Sequence, residues 1–345
     1  MDELRVGVIG GTGLGEALLG QTEVRQRHQI ETPFGRPSDA IIEGQWQGVP
    51  VLLLSRHGRG HVLNPTQVPY RANIFALKQL GCTHIIASGA VGSLREEMKP
   101  RDLVIADQVI DKTSKRASTF YENAAVHVEF AEPFCPLLRQ ILLQASGDKA
   151  QESVKSESSA SSPTAEPGPL APYTVHDRGC YVAMEGPAFS SRAESLMHRL
   201  WGGDLIGMTA MPEAKLAREA EISYALVALV TDYDSWRHAT PAAAAAKTDD
   251  AKADPLLLLE EIKANLRAAS DHAIQLIQRA IERMAGQREA LLAAPSRQAL
   301  RLAVWSEEAR IAPEEIERLR PLWGRYFDNA NATGSPIDDA GRATA

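Results

Sequence analysis

Short apolar runs bounded by turn residues alternate with helical patterns along most of the chain. The runs that predict strands are residues 4–9, 41–43, 49–55, 83–87, 102–109, 181–184, 204–207 and 221–230. Apolar residues at helical spacing predict helices over residues 70–81, 136–145, 212–222, 255–286, 296–309 and 313–327, and another that begins near residue 190. Strands that alternate with helices favour an α/β fold.

The stretch at residues 221–236, EISYALVALVTDYDSW, is the one around which the rest of the chain is arranged. Its continuous apolar run predicts a strand that is buried on both faces, as in a parallel sheet. The run ends in Asp232 and Asp234, and ligand groups on such sheets collect at the carboxyl ends of the strands. Aspartates at such positions are also common as plain loop or cap residues, so this stretch alone leaves both interpretations open.

Two other predicted strands end in groups that suit an anion. The first breaks at GGTGLG, where glycines expose backbone amides and Thr12 adds a hydroxyl. The spacing fits neither a dinucleotide fingerprint nor a P-loop, because Glu16 stands where the P-loop needs lysine. Arg56 and His57 follow the run at residues 49–55, and their donors suit phosphate. A solvated basic turn is the alternative, and a metal site is disfavoured because no Cys or carboxylate cluster lies nearby.

Two further segments carry small or hydroxyl residues near predicted strand ends. The segment 88–93, which contains Gly89 and Ala90, leaves amides uncovered for an oxyanion or a ribose phosphate. A tight helix entry is an equal alternative. Thr209 lies beside a helix start, where it can bind an anion or simply cap the helix. Near residue 190, Ser191 and Glu194 have the spacing of a capping box.

Composition narrows the class of protein. Of the 345 residues 44% are hydrophobic, enough for a large core, and the formal charge of −7 lacks the clustered basic face that nucleic-acid binding needs. The three cysteines, Cys82, Cys135 and Cys180, are widely spaced and are interpreted as reduced core residues. The first residues show no signal-peptide pattern and no apolar run reaches about 18 residues, so a cytoplasmic protein is expected.

The same pattern predicts how the chain is divided. Residues 1–286 are expected to form the main domain, interrupted by a flexible, Ser-, Ala-, Glu- and Pro-rich insertion at about 147–172 and a second loop at about 238–254. Residues 287–330 are expected to form a helical extension, and residues 331–345 a disordered tail.

Eight motifs in order resemble one family. They are IGGTGL, ETPFGRPSDA, LLSRHGRGH, GCTHIIASGAVGSLRE, AEPFCP, EGPAFSSRAES, MTAMPEAKLAREAEISYA and TDYDSW. Together they are similar to the S-methyl-5'-thioadenosine phosphorylases of the trimeric purine nucleoside phosphorylase group. The resemblance implies one α/β domain with a mixed, twisted central sheet flanked by helices, assembled as a homotrimer. It also implies cleavage of methylthioadenosine by phosphate, a co-substrate, without a metal or organic cofactor.

The resemblance also implies roles for particular residues. The phosphate site would comprise Thr12, Arg56, His57, Gly89, Ala90 and Thr209. Met208 would lie under the ribose and Phe189 near the sugar or base, and His127 would be offered to the site of a neighbouring subunit. Asp232 would donate a proton to purine N7 and Asp234 would face the 6-amino group, which requires that desolvation raise the pKa of the donor.

Substrate choice stays open between two purine classes. Related phosphorylases for inosine and guanosine place Asn where this chain has Asp232 and Glu where it has Ser190, and an ionised carboxylate accepts from a 6-amino group but repels a 6-oxo oxygen. The family usually has Thr-Ala-Cys-Gly at Gly89–Gly92 and often Arg at Ala188, which leaves room for a 6-oxopurine or methylthioinosine phosphorylase. A non-catalytic nucleoside-binding protein, with the C-terminal extension as its working part, is the third and least favoured hypothesis.

Overall fold

The computed structural model describes residues 3–11, 17–18, 20, 23–156, 173–237 and 255–328, with the backbone alone for 148–156 and 255–258. Within these ranges eleven strands form one mixed sheet. The strands are β1 (Val6–Gly10), β2 (Glu23–His28), β3 (Ile41–Trp46), β4 (Val49–Ser55), β5 (His84–Ser93), β6 (Leu103–Ile105), β7 (Gln108–Asp111), β8 (Val175–His176), β9 (Cys180–Ala183), β10 (Leu205–Gly207) and β11 (Ser223–Tyr233).

The middle of the sheet is parallel. β1 lies between β4 and β5, and β11 runs parallel to β5 along the whole length of that strand. The carboxyl-terminal end of β5 also pairs with β10, which is antiparallel to β5 and parallel to β9. The carboxyl ends of β1, β4, β5 and β11 therefore meet along one edge of the sheet, which is where open α/β sheets bind their ligands.

Helices cover both faces of the sheet. They are α1 (Tyr70–Gln79), α2 (Pro136–Ser156), α3 (Arg192–Leu200), α4 (Ala210–Glu219), α5 (Pro255–Ala285), α6 (Arg288–Leu292), α7 (Pro313–Arg318) and α8 (Arg320–Trp323), with short 3-10 turns at Pro295–Gln298, Glu308–Arg310 and Gly324–Tyr326. The core on one face contains side chains of α1, α4 and α8, and the core on the other contains side chains of α2 and α5. The predicted α/β class, with a mixed sheet flanked by helices and a helical C-terminal region, is confirmed.

The sequence of β11 is almost wholly apolar because both faces of this strand are buried. Tyr224, Leu226 and Ala228 point into one core, whereas Val227 and Leu229 point into the other. Side chains alternate along a strand, so a strand with a helical layer on each face must be apolar at every position.

Two segments differ from the sequence-based expectation. Residues 88–93, predicted as a small-residue loop, continue strand β5 because they pair with β11 and, at the end, with β10. The helix predicted over residues 296–309 is wrong: the segment contains two 3-10 turns and an extended part in which Val304 pairs with Val126. Its apolar residues are therefore not arranged along a helix face.

The C-terminal segment packs against the main core. Leu319, Leu322 and Trp323 are buried in the same cluster as Phe75, and the Trp323 ring lies 4.8 Å from that of Tyr121. The division of the chain into domains stays a prediction, and the insertion, the second loop and the tail fall mainly outside the described residues. Across the described ranges no helix combines the length and the apolar character that crossing a bilayer requires. All three cysteines are free thiols.

Candidate active site

The carboxyl ends of β1, β4 and β5 meet around a glycine. At Gly11, directly after β1, an added Cβ would lie 3.3 Å from the Ser88 carbonyl oxygen, 3.5 Å from Nη1 of Arg56 and 3.6 Å from Cα of Gly89. Because Gly11 has no side chain, these backbones approach each other closely, and an added Cβ would make a tight contact with the Ser88 oxygen. Three segments that are far apart in sequence therefore surround one small space. Thr12, the next residue, lies outside the described residues.

Arg56 is fully buried and held by a carboxylate. Its Nε and Nη2 donate to the two oxygens of Glu213 at 2.7 and 2.8 Å, and Nη1 donates to the Ser88 carbonyl at 2.7 Å. Burial alone would lower the pKa of the guanidinium, but the Glu213 carboxylate raises it above the ordinary value. Three of the five N–H groups are thus used within the described part of the protein, which fixes the plane of the fork beside Gly11.

His57 is a neutral side chain next to this cation. Burial, followed by the positive charge of Arg56, lowers the pKa of His57 to about 4. Nδ1 lies 2.8 Å from the Leu63 carbonyl, which can only accept, so Nδ1 carries the proton of the neutral ring and Nε2 is an acceptor. A bound anion would favour the protonated ring, in which both nitrogens donate.

The loop after β10 closes the space from the other side. The Thr209 hydroxyl lies 3.3 Å from where a Cβ on Gly89 would stand, so the two segments approach each other closely at residue 89. Thr209 precedes α4, yet its side chain makes no capping hydrogen bond to that helix, and its N–H donates to the Tyr181 hydroxyl at 3.2 Å. Ala90, beside Gly89, is exposed.

The two aspartates lie at the end of β11. Burial, together with the nearby Asp234 carboxylate, raises the pKa of Asp232, although Asp232 accepts a 2.6 Å hydrogen bond from the Thr231 hydroxyl. A Cβ on Gly92 would lie 3.2 Å from Oδ1 of Asp232 and 3.2 Å from Cβ of Asp234, so β5 runs directly beside the pair. Oδ2 of Asp234 is buried and has no hydrogen-bond partner among the described residues. The arrangement favours a proton on Asp232.

The remaining candidate residues differ in their burial and in their contacts. Met208 is half-buried and its sulfur lies against Gly186, and Ser190 is buried with its carbonyl accepting from Ser235. Phe189 is 76% exposed. His127 lies on a loop whose backbone pairs with Ala303 in the C-terminal segment. Within the described residues, no group of three His, Cys, Asp or Glu side chains is placed to hold a metal ion.

Comparison with known proteins assigns the chain to a family. The sequence profile of the phosphorylase superfamily matches residues 5–282. The chain belongs to the phosphorylase superfamily. Its relatives include the S-methyl-5'-thioadenosine phosphorylases of Synechocystis, 42% identical over 94% of this chain and 88% of the relative, and of Geobacter sulfurreducens, 44% identical over 93% and 98%. The resemblance drawn from the sequence motifs is confirmed.

Solved structures show the same phosphorylase fold. A methylthioadenosine phosphorylase from an antarctic soil metagenomic library is 39% identical and superposes with a TM-score of 0.76 over 93% of this chain and 99% of its own. A mutant adenosine/methylthioadenosine phosphorylase of Schistosoma mansoni in complex with methylthioadenosine is 35% identical, with a TM-score of 0.71 over 88% and 99%. The first alignment covers too much of this chain to end at residue 282, so that relative shares at least part of the C-terminal segment.

The sequence did not indicate three residues that shape this phosphorylase site. Glu213 and Tyr224 form a buried group with Arg56, the Tyr224 hydroxyl donating to Glu213 at 2.9 Å. Arg116 donates to the Met211 carbonyl at 2.7 Å and also to that of Met208, which ties the polar loop after β7 to the loop after β10. Nothing local marks Arg116, because it lies in a polar segment with several other cations.

Proposed function

We propose that this chain cleaves S-methyl-5'-thioadenosine with phosphate, giving adenine and 5-methylthioribose 1-phosphate. The observation that carries the proposal is a half-buried carboxyl group of raised pKa, Asp232, at the same sheet edge as the space around Gly11, Arg56 and Thr209. An acid for the leaving base and a cationic seat for an anion are the two groups that the reaction needs. The S-methyl-5'-thioadenosine phosphorylases among its relatives support the same assignment.

The proposed reaction exchanges one bond at the anomeric carbon. A phosphate oxygen attacks C1' of the ribose as the bond from C1' to N9 of adenine breaks, and the bonding electrons leave with the base. Phosphate would be held by Thr12, Arg56, His57, Gly89, Ala90 and Thr209. Fixed on one face of the sugar, it supplies the nucleophile and stabilises the positive charge that develops on the ribose. No metal or organic cofactor is needed for this exchange, and we propose that none is used.

The leaving base would take its proton from Asp232. The raised pKa keeps a proton available at neutral pH more often than for an ordinary aspartate, and transfer to N7 neutralises the departing purine. Asp234 would support this proton or accept from the 6-amino group. Met208 and Phe189 would contact the nucleoside, with Ser190 nearby where the phosphorylases for 6-oxopurines carry Glu.

The proposal also includes the oligomeric state of the protein and its cellular role. His127, exposed on its loop, would reach the site of a neighbouring copy in a homotrimer. We infer a cytoplasmic protein that serves purine and methionine salvage and binds neither nucleic acid nor membrane. The formal charge of −7 supports the exclusion of nucleic acid.

The deciding experiment compares two nucleosides and two variants. Base release in the presence of phosphate is measured for methylthioadenosine and inosine with the natural protein, Asp232→Asn and the control Asp177→Asn. Asp177 is exposed beside Arg178, so its substitution should leave rates unchanged. We expect methylthioadenosine to be preferred and Asp232→Asn to lower its kcat/KM by about 100-fold or more, the size of a general-acid contribution.

Three results would contradict the proposal. Faster release from inosine would assign the chain to the 6-oxopurine phosphorylases. Unchanged methylthioadenosine turnover in Asp232→Asn would mean that another group protonates the base. Absence of phosphate-dependent release from either nucleoside would leave the non-catalytic hypothesis.

A further inference from the structure

A second cleft lies at the opposite end of the sheet from the candidate active site. It is lined by residues that precede strands, including Arg5 before β1 and Thr83 before β5, and has a volume of about 530 Å³. The site described above follows the carboxyl ends of the same strands. Gly89 and Gly92 of β5 lie six and nine residues after Thr83, and a strand rises about 3.3 Å per residue, so roughly 20–30 Å separates the two regions.

The cleft joins two parts of the chain. One wall comes from the end of α1 and the start of β5, and the other from the C-terminal segment between Arg297 and Arg325. Beneath it, the buried Glu221 accepts hydrogen bonds from the Leu300 N–H at 3.0 Å and the Tyr326 hydroxyl at 2.6 Å, and also pairs with Arg325. A ligand in this cleft would therefore contact both parts at once.

The charged side chains that line the cleft are mainly cations. They are Arg5, Lys78, Arg297, Arg320 and Arg325, against the single carboxylate of Glu3. Several of the arginines also pair with carboxylates beside the cleft: Arg5 lies 3.4 Å from Glu43, and Arg320 lies 2.7 Å from both Glu317 and Asp328. These pairs orient the guanidinium groups and offset part of their charge, while the charged side chains that line the cleft itself are five cations and one carboxylate.

Lys78 lies in the wall of the cleft and has a lowered pKa. Its Nζ donates to the Ala220 carbonyl at 2.6 Å, and burial lowers the pKa of Lys78 to about 8. The charges of Arg297 and Arg325 also contribute to this lowered pKa, whereas Glu221 and, more weakly, Cys82 act to raise it. Burial is the largest cause of the lowered pKa, and an anion in the cleft would favour the charged ammonium group.

We propose that this cleft binds a small anion that carries two or more linked phosphate groups. Guanidinium forks and an ammonium group are the donors that recognise phosphate oxygens, and five cations along one cleft match a ligand of several negative charges better than a monoanion. The volume exceeds that of a single phosphate ion. The ligand would stabilise the docking of the C-terminal segment, because it bridges α1 and residues of that segment.

The test uses pyrophosphate as the probe and the full chain saturated with inorganic phosphate, so that the candidate active site is already filled. Binding is measured by titration calorimetry at pH 7 and constant ionic strength. Arg320→Gln and Lys78→Met are each expected to weaken binding about tenfold or more. Arg310→Gln is the matched control: Arg310, like Arg320, pairs with a glutamate three residues earlier but does not line the cleft.

The pH dependence adds an independent readout. Binding in the natural protein should weaken as the pH rises past about 8, where Lys78 loses its proton, and this step should be absent in Lys78→Met. The proposal is overturned if pyrophosphate does not bind the phosphate-saturated protein, or if Arg320→Gln and Arg310→Gln bind it equally well. Arg320 is 48% exposed at its side chain, so its variant is expected to fold. None of these results depends on turnover of a nucleoside.

Discussion

The arginine at the end of β4 depends on a partner that its own sequence neighbourhood does not contain. Arg56 is separated from Glu213 by 157 residues, and both side chains are completely buried. A buried charge is tolerated only when it is paired and hydrogen-bonded, and here the fork meets the carboxylate through two bonds. The pair therefore fixes the guanidinium before any anion arrives.

Removing the charge of Glu213 should lower the stability of the folded protein. Glu213→Gln leaves Arg56 buried without a counter-ion, and we expect the free energy of unfolding to fall by about 3–5 kcal/mol. The measurement is chemical denaturation without phosphate. Glu317→Gln, which breaks an exposed pair with Arg320 of the same 2.7 Å length, should cost less than about 1 kcal/mol. Equal losses in the two variants would mean that burial does not decide the effect.

For single residues, the sequence indicated the polar side chains that follow an apolar run. It did not indicate the side chains that hold them in place. Arg56, His57 and Asp232 were found because each stands where a predicted strand ends. Glu213 could not be found in this way, since it lies in a helical pattern where a glutamate normally faces solvent. Only the packing of α4 against the sheet turns it inward.

At the scale of elements, local signals were predicted well and long-range pairing was not. Ser191 and Glu194 form the predicted capping box of α3, with the Ser191 side chain accepting from the Glu194 N–H and the Glu194 side chain from the Ser191 N–H. That interaction spans three residues and is visible in the sequence. The extension of β5 through Gly92 depends on hydrogen bonds to β11, more than a hundred residues away, so small residues there were interpreted as a loop.

The close approach of these two strands gives a prediction at Gly92. A Cβ there would lie 3.0 Å from Cγ2 of Ile206 and 3.2 Å from Oδ1 of Asp232. Gly92→Ala must move one of them, and we expect about 1–3 kcal/mol of lost stability together with at least a tenfold lower kcat/KM. Gly147→Ala is the control, because nothing lies within 4 Å of its added Cβ. Full activity in Gly92→Ala would show that Asp232 need not keep its position.

At the scale of the whole molecule, the C-terminal segment belongs to the core. Two of its tryptophans differ in environment: Trp323 is 0% exposed and packs edge-on against Phe327, whereas Trp305 is 71% exposed. Their sequence surroundings gave no means to separate them, since both were predicted on helices. Which one is buried is decided by the surface left open beside Tyr121 and α1.

These two tryptophans provide a matched pair of substitutions. Trp323→Ala empties a filled site, and we expect a loss of about 3–5 kcal/mol in the free energy of unfolding. Trp305→Ala should change it by about 0.5 kcal/mol or less, because an exposed side chain loses little burial. Thermal and chemical denaturation measure both. Similar effects in the two variants would mean that the segment does not pack as described.

Glu219 makes the same region sensitive to pH. It lies at the end of α4, is 5% exposed, and accepts a 2.8 Å hydrogen bond from the Phe120 N–H. Burial raises the pKa of Glu219 to about 7 in the folded protein, above the ordinary value of 4.5 that the unfolded chain should have. The folded state therefore holds this proton more tightly than the unfolded state, and the contribution to stability is complete below pH 4.5 and lost as the pH rises to about 7.

Glu219→Gln isolates this contribution. The amide keeps an acceptor for Phe120 but does not titrate, so the variant should gain stability relative to the natural protein between pH 4.5 and 7, by up to about 3 kcal/mol. His57 and His84 act in the opposite sense, because burial lowers their pKa to about 4 and about 3 and protonation of the unfolded chain then favours unfolding in acid. Both proteins contain these histidines, so their effect cancels in the difference. A difference that stays constant from pH 4.5 to 7 would mean that Glu219 is ionised in the folded protein throughout this range.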